Sequence, residues 1–394
     1  MHHASGVVRE FDASLPPAAR ELLARAAAFS AEHVAPHARD WEYRRTPPRD
    51  TLTRACRAGL AGVEVPAAQG GLGLGFGARV RMVETLARDD AAFAFSLVNH
   101  HNVTARLAGA SDRPMAGWVP AMLAGELIGC TAMTEPDAGS DFSAIATRAR
   151  RVPGGWSLTG EKAWITNAAV ANVFLTYAQT EPGSGPKGIA GFIVRVDPAD
   201  EPGLKSFTRR PAFALHGAHA IGAGGFALDE FFVPDEQVMY EPGKGFKAAM
   251  AGVNAARTYV AALCAGMLDE SLARALAYGR SRHAFRRPLL DNQGLMWSLS
   301  DVAAELEAIR LLTYRATRLI EAGEDAQWAA AVAKKFANER AVAGICACMQ
   351  AMGANGLRSE LPLARHLATA RVLSYTDGSV EMMNERIGHL LRAV

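Results

Sequence analysis

The sequence predicts a mainly α-helical protein with a central β-domain, and three observations support this fold class. Apolar residues recur at helical spacing over residues 12–125 and again over 244–394. The segment between them, 128–233, consists of short β-rich runs punctuated by Gly, Pro and Asn. This middle segment is too short and irregular for a doubly wound parallel sheet, so we expect helices, then strands in a barrel, then helices.

Bulk composition excludes several classes of function. The chain has 394 residues, a formal net charge of +2 and five scattered cysteines. Near-neutral charge gives no indication of a nucleic-acid or anionic-membrane partner. The cysteines show no metal-binding spacing, and free thiols suit a reducing compartment. No apolar run reaches the ~18 residues of a membrane-spanning helix. We therefore expect a soluble cytoplasmic protein without a bound metal.

The N-terminal part is expected to contain helices near 50–60, 76–110 and 114–125. The Gly-rich stretch VEVPAAQGGLGLGFG (63–77) has no lysine and follows no long strand, so it does not fit a phosphate-binding loop. A bend between helices is the better interpretation.

The middle part contains WSLTGEKAWITN, NVFLTYAQT, GIAGFIVRV and GFALDEFFVP, which predict antiparallel strands in a barrel or sandwich. Beyond it, apolar residues step by three and four along one helix and predict a bundle. That seam consists of Leu299, Val302, Leu306, Ile309, Thr313, Ala316 and Ile320.

One short stretch near the C-terminus, YTDGSVEMM (375–383), raises a question about chemistry. An Asp-Gly pair on its own indicates a turn. Asp377 could therefore be a turn residue, a solvated charge or a base that removes a proton.

The segment CTAMTEPDAGSDFSAIATRARRVPGGWSLTGEKAWITNAAVANVFL (130–175) resembles the flavin-binding signature of the acyl-CoA dehydrogenase family. Its TEPDAGSD and GEKAWITN elements occur in the family's order and spacing. EPGKGFKAAM, YGRSRHAFRRPLLDNQ and QAMGANGL are also similar to family elements. The resemblance implies an N-terminal helical domain (1–126), a middle β-barrel domain (127–236) and a C-terminal four-helix bundle (237–394).

The resemblance implies FAD as cofactor, and the residue types fit that ligand. A flat isoalloxazine needs an apolar wall and polar groups near its reactive edge. Trp164 can supply the wall, and Thr166, two residues on in a strand, is expected on the same face. The remaining cofactor positions implied by the family are Met133, Thr134, Gly139, Ser140, Arg282, Phe285, Gln293, Gln350, Gly353, Ser379 and Glu381. Gln350 and Gly353 correspond to the part that receives ADP from a neighbouring subunit, usually in a homotetramer.

The resemblance also implies the reaction. In this family a carboxylate removes an α-proton from an acyl thioester while hydride passes from the β-carbon to flavin N5. Most members carry a Y-E-G-T element, in which Glu is the base, whereas Asp377-Gly378-Ser379 stands there in this chain. Asp is shorter by one methylene, about 1.5 Å of reach. The expected catalytic residue is Asp377, and Glu381 is the alternative carboxylate.

Two other interpretations stay open at this stage. The base could lie on the bundle helix, but MAGVNAARTYV offers Asn254 there and no carboxylate. Alternatively, the protein could bind FAD without dehydrogenating a thioester, or act as a flavin oxidase or monooxygenase on the same scaffold.

The acyl group is predicted to be short, branched, cyclic or polar. The stretch LVNHHNVT (97–104) falls where the family's helix lines the acyl cavity, and it is unusually polar for a fatty-chain tunnel. Some of these side chains could instead face solvent or an interface. Ser140, Asn254, Arg257 and Gly378 are the expected contacts to a CoA or carrier-protein thioester. Electron-transfer flavoprotein is the expected electron acceptor.

Overall fold

The computed structural model describes residues 6–392, in which helices precede and follow a β-sheet, in the order that the sequence predicts. The first helices are α1 (Gly6–Ser14), α2 (Pro17–Phe29), α3 (Ala38–Arg44), α4 (Arg49–Arg57), α5 (Phe76–Gly109) and α6 (Val119–Leu123). The later helices are α7 (Gly245–Ala251), α8 (Val253–Ser281), α9 (Gln293–Glu321), α10 (Gln327–Met352), α11 (Leu363–Leu373) and α12 (Val380–Leu391). Within residues 6–392, no helix combines the length and apolarity needed to cross a membrane.

Helix α5 is interrupted at Asp90, whose backbone is extended (φ −156°, ψ 105°). The carboxylate of Asp90 accepts a hydrogen bond from the Phe93 amide at 2.8 Å, which caps the second half of the helix. Arg79, in the first half, donates to Asn102 in the second half at 2.8 Å. A straight helix would separate these two residues by about 35 Å at 1.5 Å per residue. The chain therefore doubles back at Asp90 and places two antiparallel helical halves side by side.

The Gly-rich stretch forms a tight bend between α4 and α5, which confirms that prediction. The Leu72 amide donates to the Gly62 carbonyl at 2.9 Å, and the Leu74 amide donates to the Val63 carbonyl at 2.8 Å. A Cβ atom at Gly71 would lie 2.1 Å from the Val65 carbonyl oxygen, so only glycine allows the two chain segments to approach this closely.

The middle part forms one eight-stranded sheet. Its strands are β1 (Gly129–Ala132), β2 (Arg148–Val152), β3 (Gly155–Ile165), β4 (Val173–Gln179), β5 (Ile189–Arg195), β6 (Phe207–Arg209), β7 (Gly224–Pro234) and β8 (Val238–Tyr240). The strand order is β6-β7-β3-β2-β4-β5-β8, with β1 beside β4. The expectation of purely antiparallel strands is wrong in part, because β1 and β2 both pair with β4 in parallel.

The C-terminal part packs α8, α9 and α10 against one another, and α5 packs on α8. The predicted seam of α9 points inward. Leu299, Val302, Leu306, Ile309, Thr313 and Ala316 are buried, and Ile320 at the end of the helix is half-buried. A two-stranded hairpin, β9 (His283–Ala284) and β10 (Arg287–Pro288), joins α8 to α9. The helices of this C-terminal part thus share a continuous apolar core.

Candidate active site

The two signature segments lie side by side. The Ala163 amide donates to the Thr134 carbonyl at 3.1 Å, and Lys162 Nζ donates to the Met133 carbonyl at 3.1 Å. These contacts tie β3 to the loop that follows β1. The predicted flavin-edge residues Met133 and Thr134 are half-buried and adjacent to the strand that carries Trp164.

A buried ion pair fixes this junction. Lys162 Nζ lies 2.7 Å from Glu135 Oε1, and the Glu135 carboxylate also accepts the Ala146 and Thr147 amides at 2.6 and 2.9 Å. Burial lowers the pKa of Lys162 to about 8, with Glu135 opposing that change. Burial alone would raise the pKa of Glu135, but Lys162 and the amide donors outweigh it and lower that pKa. Each charged group of the pair has a hydrogen-bonded partner, so the pair has a structural role.

Trp164 presents an aromatic surface outside this ion pair. Its side chain is 57% exposed, its φ is +61°, and one face stacks on Phe213 with ring centroids 4.1 Å apart. The strand register shifts between Lys162 and Ile165. Strand β3 ends at Ile165, so the prediction that Thr166 lies within the strand is wrong; Thr166 is the first residue of the following turn. An exposed indole beside Met133 and Thr134 fits a planar apolar cofactor.

Gly139 and Ser140 lie in the exposed loop after Glu135. A Cβ atom at Gly139 would lie 3.9 Å from Thr134 Cγ2, an ordinary contact. Packing within the chain therefore does not require glycine at this position. A close approach of the backbone to a ligand remains its predicted reason.

The residues predicted to hold the ADP half are exposed on the single chain. Phe285 is 92% exposed at the tip of the β9–β10 hairpin, with φ +51°. Arg282 begins this hairpin and Gln293 is the first residue of α9. Gln350 and Gly353 lie at the C-terminal end of α10, also exposed. A bound group at these positions would need further surface to cover it.

Asp377 occupies the turn between α11 and α12. Its φ is +52° and that of Gly378 is +92°, so two consecutive residues are left-handed. Asp tolerates this conformation better than most residues. The residue is half-buried, and its Oδ2 atom is hidden from solvent with no hydrogen-bond partner among the described residues. Burial raises the pKa of Asp377, while Lys334, Arg257 and Arg106 oppose that rise. The residue is a turn residue that also holds a sequestered carboxylate.

Arg257, near the start of α8, lies near this carboxylate, and Asn254 precedes it by three residues in the same helix. A Cβ atom placed on Gly378 would be 3.7 Å from Arg257 Nη2. Arg257 Nε and Asn254 Oδ1 are buried and, like Asp377 Oδ2, have no hydrogen-bond partner within the part of the chain that the structure describes. Burial lowers the pKa of Arg257, and Asp377 opposes that change. Buried polar atoms are normally bonded, so the unbonded atoms of Arg257 and Asp377, whose charges interact, indicate a ligand site.

Glu381 differs from Asp377 in every respect that matters for proton abstraction. Ser379 caps α12 by accepting the Met382 amide at 3.4 Å, and this places Glu381 in the first helical turn. Glu381 is exposed, and its own backbone, followed by Ser379, lowers its pKa. An exposed, readily ionised carboxylate is the weaker candidate base.

The polar side chains of residues 97–104 in α5 have different surroundings. His100 is fully buried; its Nδ1 accepts the Gly129 amide and its Nε2 lies 3.0 Å from the Met122 carbonyl. Burial lowers the pKa of His100 to about 4, so the ring is neutral. Asn99 donates to the Phe95 carbonyl of its own helix at 3.0 Å. For His100 and the equally buried His101, the alternative of facing solvent is wrong.

Asn102 connects two other polar side chains. Its Nδ2 donates to the Tyr259 hydroxyl at 3.2 Å, and its Oδ1 accepts from Arg79. Burial followed by the charge of Asp377 raises the pKa of Tyr259, which places this hydroxyl in the electrostatic field of the carboxylate. Arg79 Nε pairs with Glu64 at 2.7 Å. A continuous polar wall therefore runs from Glu64 to Tyr259.

Sequence reasoning missed three of these groups: Arg79, Arg106 and Lys334. Lys334 is fully buried, and its Nζ donates to the Gly378 carbonyl at 2.6 Å. The signal for Lys334 was present, because it lies among the small residues Ala330, Ala333 and Ala337 on the apolar face of α10. Arg79 and Arg106 gave no such signal, since their positions depend on the doubling back of α5.

A helical–β–helical fold with a sequestered carboxylate and an exposed indole beside a glycine-containing loop defines a flavin-dependent dehydrogenase of the acyl thioester class. The chain belongs to the acyl-CoA dehydrogenase family. The family's N-terminal, middle and C-terminal domains match residues 16–126, 130–229 and 243–391.

Individual relatives agree with this assignment. The short-chain specific acyl-CoA dehydrogenase of Homo sapiens mitochondria is 32% identical over 379 residues, covering 95% of this chain and 88% of the relative. Butyryl-CoA dehydrogenase from Megasphaera elsdenii is 27% identical with a TM-score of 0.89, covering 96% of this chain and 99% of that chain. A chain solved in work on the electron transferring flavoprotein of Acidaminococcus fermentans is 26% identical with the same TM-score, covering 96% and 98%.

Family membership confirms the predicted fold class, the oxidoreductase class and FAD as the cofactor. The residue assignments within the site and the domain boundaries drawn from the sequence stay predictions. Trp164, Met133 and Thr134 are the described residues whose arrangement best fits the flavin ring.

Proposed function

We propose that this protein performs α,β-dehydrogenation of a short or polar acyl thioester, with Asp377 as the base that removes the α-proton. The observation that carries the proposal is the Asp377 Oδ2 atom, which is buried and unbonded beside a set of cations. Bound FAD supplies the hydride acceptor. The chain itself supplies the base, the dry surroundings and the groups that orient the thioester.

The electrostatics of Asp377 suit proton abstraction from carbon. A dry site raises the pKa of the carboxyl and so brings its basicity closer to that of the substrate proton. The charges of the neighbouring cations oppose that rise. Arg257, Asn254, Gly378 and Ser140 are proposed to bind the thioester. Arg257 and Gly378 lie beside the carboxylate, Asn254 lies three residues before Arg257 in α8 with a buried unbonded oxygen, and Ser140 is exposed in the flavin-side loop.

The polar wall supports a small or functionalised acyl group. Arg79, Asn102 and Tyr259 present hydrogen-bonding groups where a long alkyl chain would need apolar surface. These groups already hydrogen-bond one another, so a polar acyl group can share their remaining hydrogen-bonding capacity, whereas a long saturated chain would gain no apolar contact from them. Branched or cyclic acyl groups that end short of the wall, or groups that hydrogen-bond to it, fit better.

The oligomer and the electron acceptor are part of the proposal. The exposure of Phe285, Arg282, Gln350 and Gly353 supports a homotetramer in which a neighbouring subunit completes the ADP site. Electron-transfer flavoprotein is proposed as the acceptor by analogy with the family. The absence of disulfides among the five cysteines, all of them free, supports a cytoplasmic location.

The test is an anaerobic screen of the purified yellow protein against acyl-CoAs of graded length and polarity. We expect the flavin to bleach with a short or polar thioester and to reoxidise slowly in air. Fast release of peroxide would instead indicate an oxidase. A flavin spectrum that responds to no thioester would indicate an FAD-binding protein without dehydrogenase activity. Best activity with long saturated chains would contradict the proposed acyl group.

A further inference from the structure

The turn that carries Asp377 is an unfavourable backbone conformation. Asp377 and Gly378 are both left-handed, and residues other than glycine seldom adopt that region. The turn begins where α11 ends at Leu373 and finishes at Ser379, the residue that caps α12. Such a conformation persists only where the surrounding structure holds it.

Lys334 is the group that spans this turn from outside. Its Nζ donates to the Gly378 carbonyl at 2.6 Å and lies 3.5 Å from the Leu373 carbonyl. One ammonium therefore contacts the backbone on both sides of Asp377. The Lys334 side chain is fully buried in α10, whose position is fixed by packing against α8 and α9.

Lys334 forms no ion pair with a carboxylate among residues 6–392. A buried ammonium without a directly bonded anion is unusual, because charges taken out of water are normally paired. Burial lowers the pKa of Lys334 to about 8, and the charge of Asp377 is the largest influence opposing that change. The same lysine is the strongest influence that opposes the raised pKa of Asp377. The two groups therefore stabilise each other's charged forms across the turn.

We propose that Lys334 is a positioning residue for the base: it fixes the left-handed turn and supplies the cation that keeps Asp377 ionised in its dry site. The proposal rests on the function proposed above. Lys334 acts through the Gly378 carbonyl and through its charge, not by contact with the reacting atoms.

Other charged and titratable groups face this pair and shape its titration. They are Arg106 of α5, Arg257, Tyr259 and Cys264 of α8, and Glu381 of α12, with Arg386 of α12 acting on Arg257. Lys334 differs from these groups because it both interacts with Asp377 and donates a hydrogen bond to the backbone of its turn. The expected effect of Lys334 is therefore separable from that of the two arginines.

The decisive experiment compares Lys334→Met with Lys335→Met. Met keeps the length and the buried apolar stem of lysine but removes the cation and the donors. Lys335 is the matched control, because it is the next residue on α10, partly exposed, and paired with Glu339 at 2.6 Å. The pH dependence of kcat/KM is measured anaerobically by flavin bleaching, with an acyl-CoA that reduces the flavin of the parent protein.

We expect Lys334→Met to retain FAD and to lose activity by about 10- to 100-fold at neutral pH. The acid limb of its profile should move upward by about one pH unit, because burial of Asp377 is then opposed less. Lys335→Met should keep the parent profile. Ethylammonium added to Lys334→Ala should restore part of the rate, whereas it should not restore Asp377→Asn.

Several results would overturn the proposal. These are an unchanged acid limb in Lys334→Met, equal losses in both methionine variants, or failure of both Lys334→Met and Lys334→Gln to fold. The last result would assign Lys334 to stability alone. Asp377→Asn separates the two hypotheses: if it bleaches at the parent rate, the base assignment itself is wrong. If Asp377→Asn is inactive and Lys334→Met behaves as the parent, only the role of Lys334 is wrong.

Discussion

Two fully buried lysines serve the two sides of the site in different ways. Lys162, on the flavin side, bonds directly to a carboxylate that is itself held by two backbone amides. Lys334, near Asp377, donates hydrogen bonds to backbone carbonyls. The Asp377 carboxylate has one oxygen atom without a hydrogen-bond partner among the described residues. Both lysines have a pKa lowered by burial to about 8. A buried polar cluster whose hydrogen bonds are all made indicates a structural role, whereas one with an unbonded carboxylate oxygen indicates a role in binding or catalysis.

The largest expected effect is at Asp377, where the polar cluster has an unbonded oxygen. Asp377→Asn should reduce the rate of flavin bleaching by about 10²- to 10⁴-fold, because the side chain keeps its size but no longer accepts a proton. FAD content and the circular dichroism spectrum should remain those of the parent. Stopped-flow absorbance under anaerobic conditions measures the rate, and a parent-like rate would identify a different base.

At the Lys162–Glu135 pair, where the hydrogen bonds are all made, Lys162→Met should lower the free energy of unfolding by about 3–5 kcal/mol. The Glu135 carboxylate would stay buried without its cation, and the Met133–Thr134 loop would lose its tie to β3. Urea denaturation measures this change. Lys335→Met, which removes a partly exposed pair, should change the free energy by less than about 0.5 kcal/mol. Equal effects of the two variants would contradict the contrast between the clusters.

A smaller effect is expected from the polar wall. Asn102→Leu should shift the preference, measured as the ratio of kcat/KM values, toward longer saturated acyl-CoAs by about 10-fold. Asn99→Leu is its control, since Asn99 donates only to the Phe95 carbonyl of its own helix. The same shift in both variants would mean that Asn102 does not contact the acyl group.

The smallest effect has the opposite sign to that of Lys162→Met. Because the pKa of Asp377 is raised on folding, its ionisation destabilises the fold at neutral pH. Asp377→Asn removes this ionisation and should therefore increase the free energy of unfolding at pH 7. The gain should vanish below the ordinary carboxyl pKa of 3.8, where Asp377 is protonated in both states. Urea titrations at several pH values test this, and a destabilised variant at pH 7 would contradict it.

Much of the fold followed from the sequence because its signals are local. Helical periodicity identified the α9 seam, and Gly71 marked the bend before α5. The parallel pairs of β1 and β2 with β4 could not be predicted, because strand partners are chosen by contacts distant along the chain. Period-two alternation failed at Thr166 for a local reason: the register shift after Lys162 ends the regular strand there.

For the candidate site, the resemblance to family motifs supplied the predictions, because an Asp-Gly pair alone indicates only a turn. Asp377 and Trp164 were identified from their motifs, and the structure adds burial for the first and exposure for the second. Lys334 and Arg79 were missed because nothing in their immediate neighbours shows which carbonyl or amide they contact. Their roles arise from tertiary packing of α10 on the last turn and from the fold of α5 on itself.

Because α5 is interrupted at Asp90, the contacts of the polar wall depend on the number of residues in each half of the helix. Arg79 lies eleven residues before Asp90 and His101 lies eleven residues after it, so the two meet as opposite positions of a hairpin made of helices. Inserting a single residue in either arm would rotate everything beyond it by about 100° and move Asn102 away from Arg79. Under the function proposed above, lengthening one half of α5 by a residue is therefore expected to change the preferred acyl group, although every side chain of the wall keeps its identity.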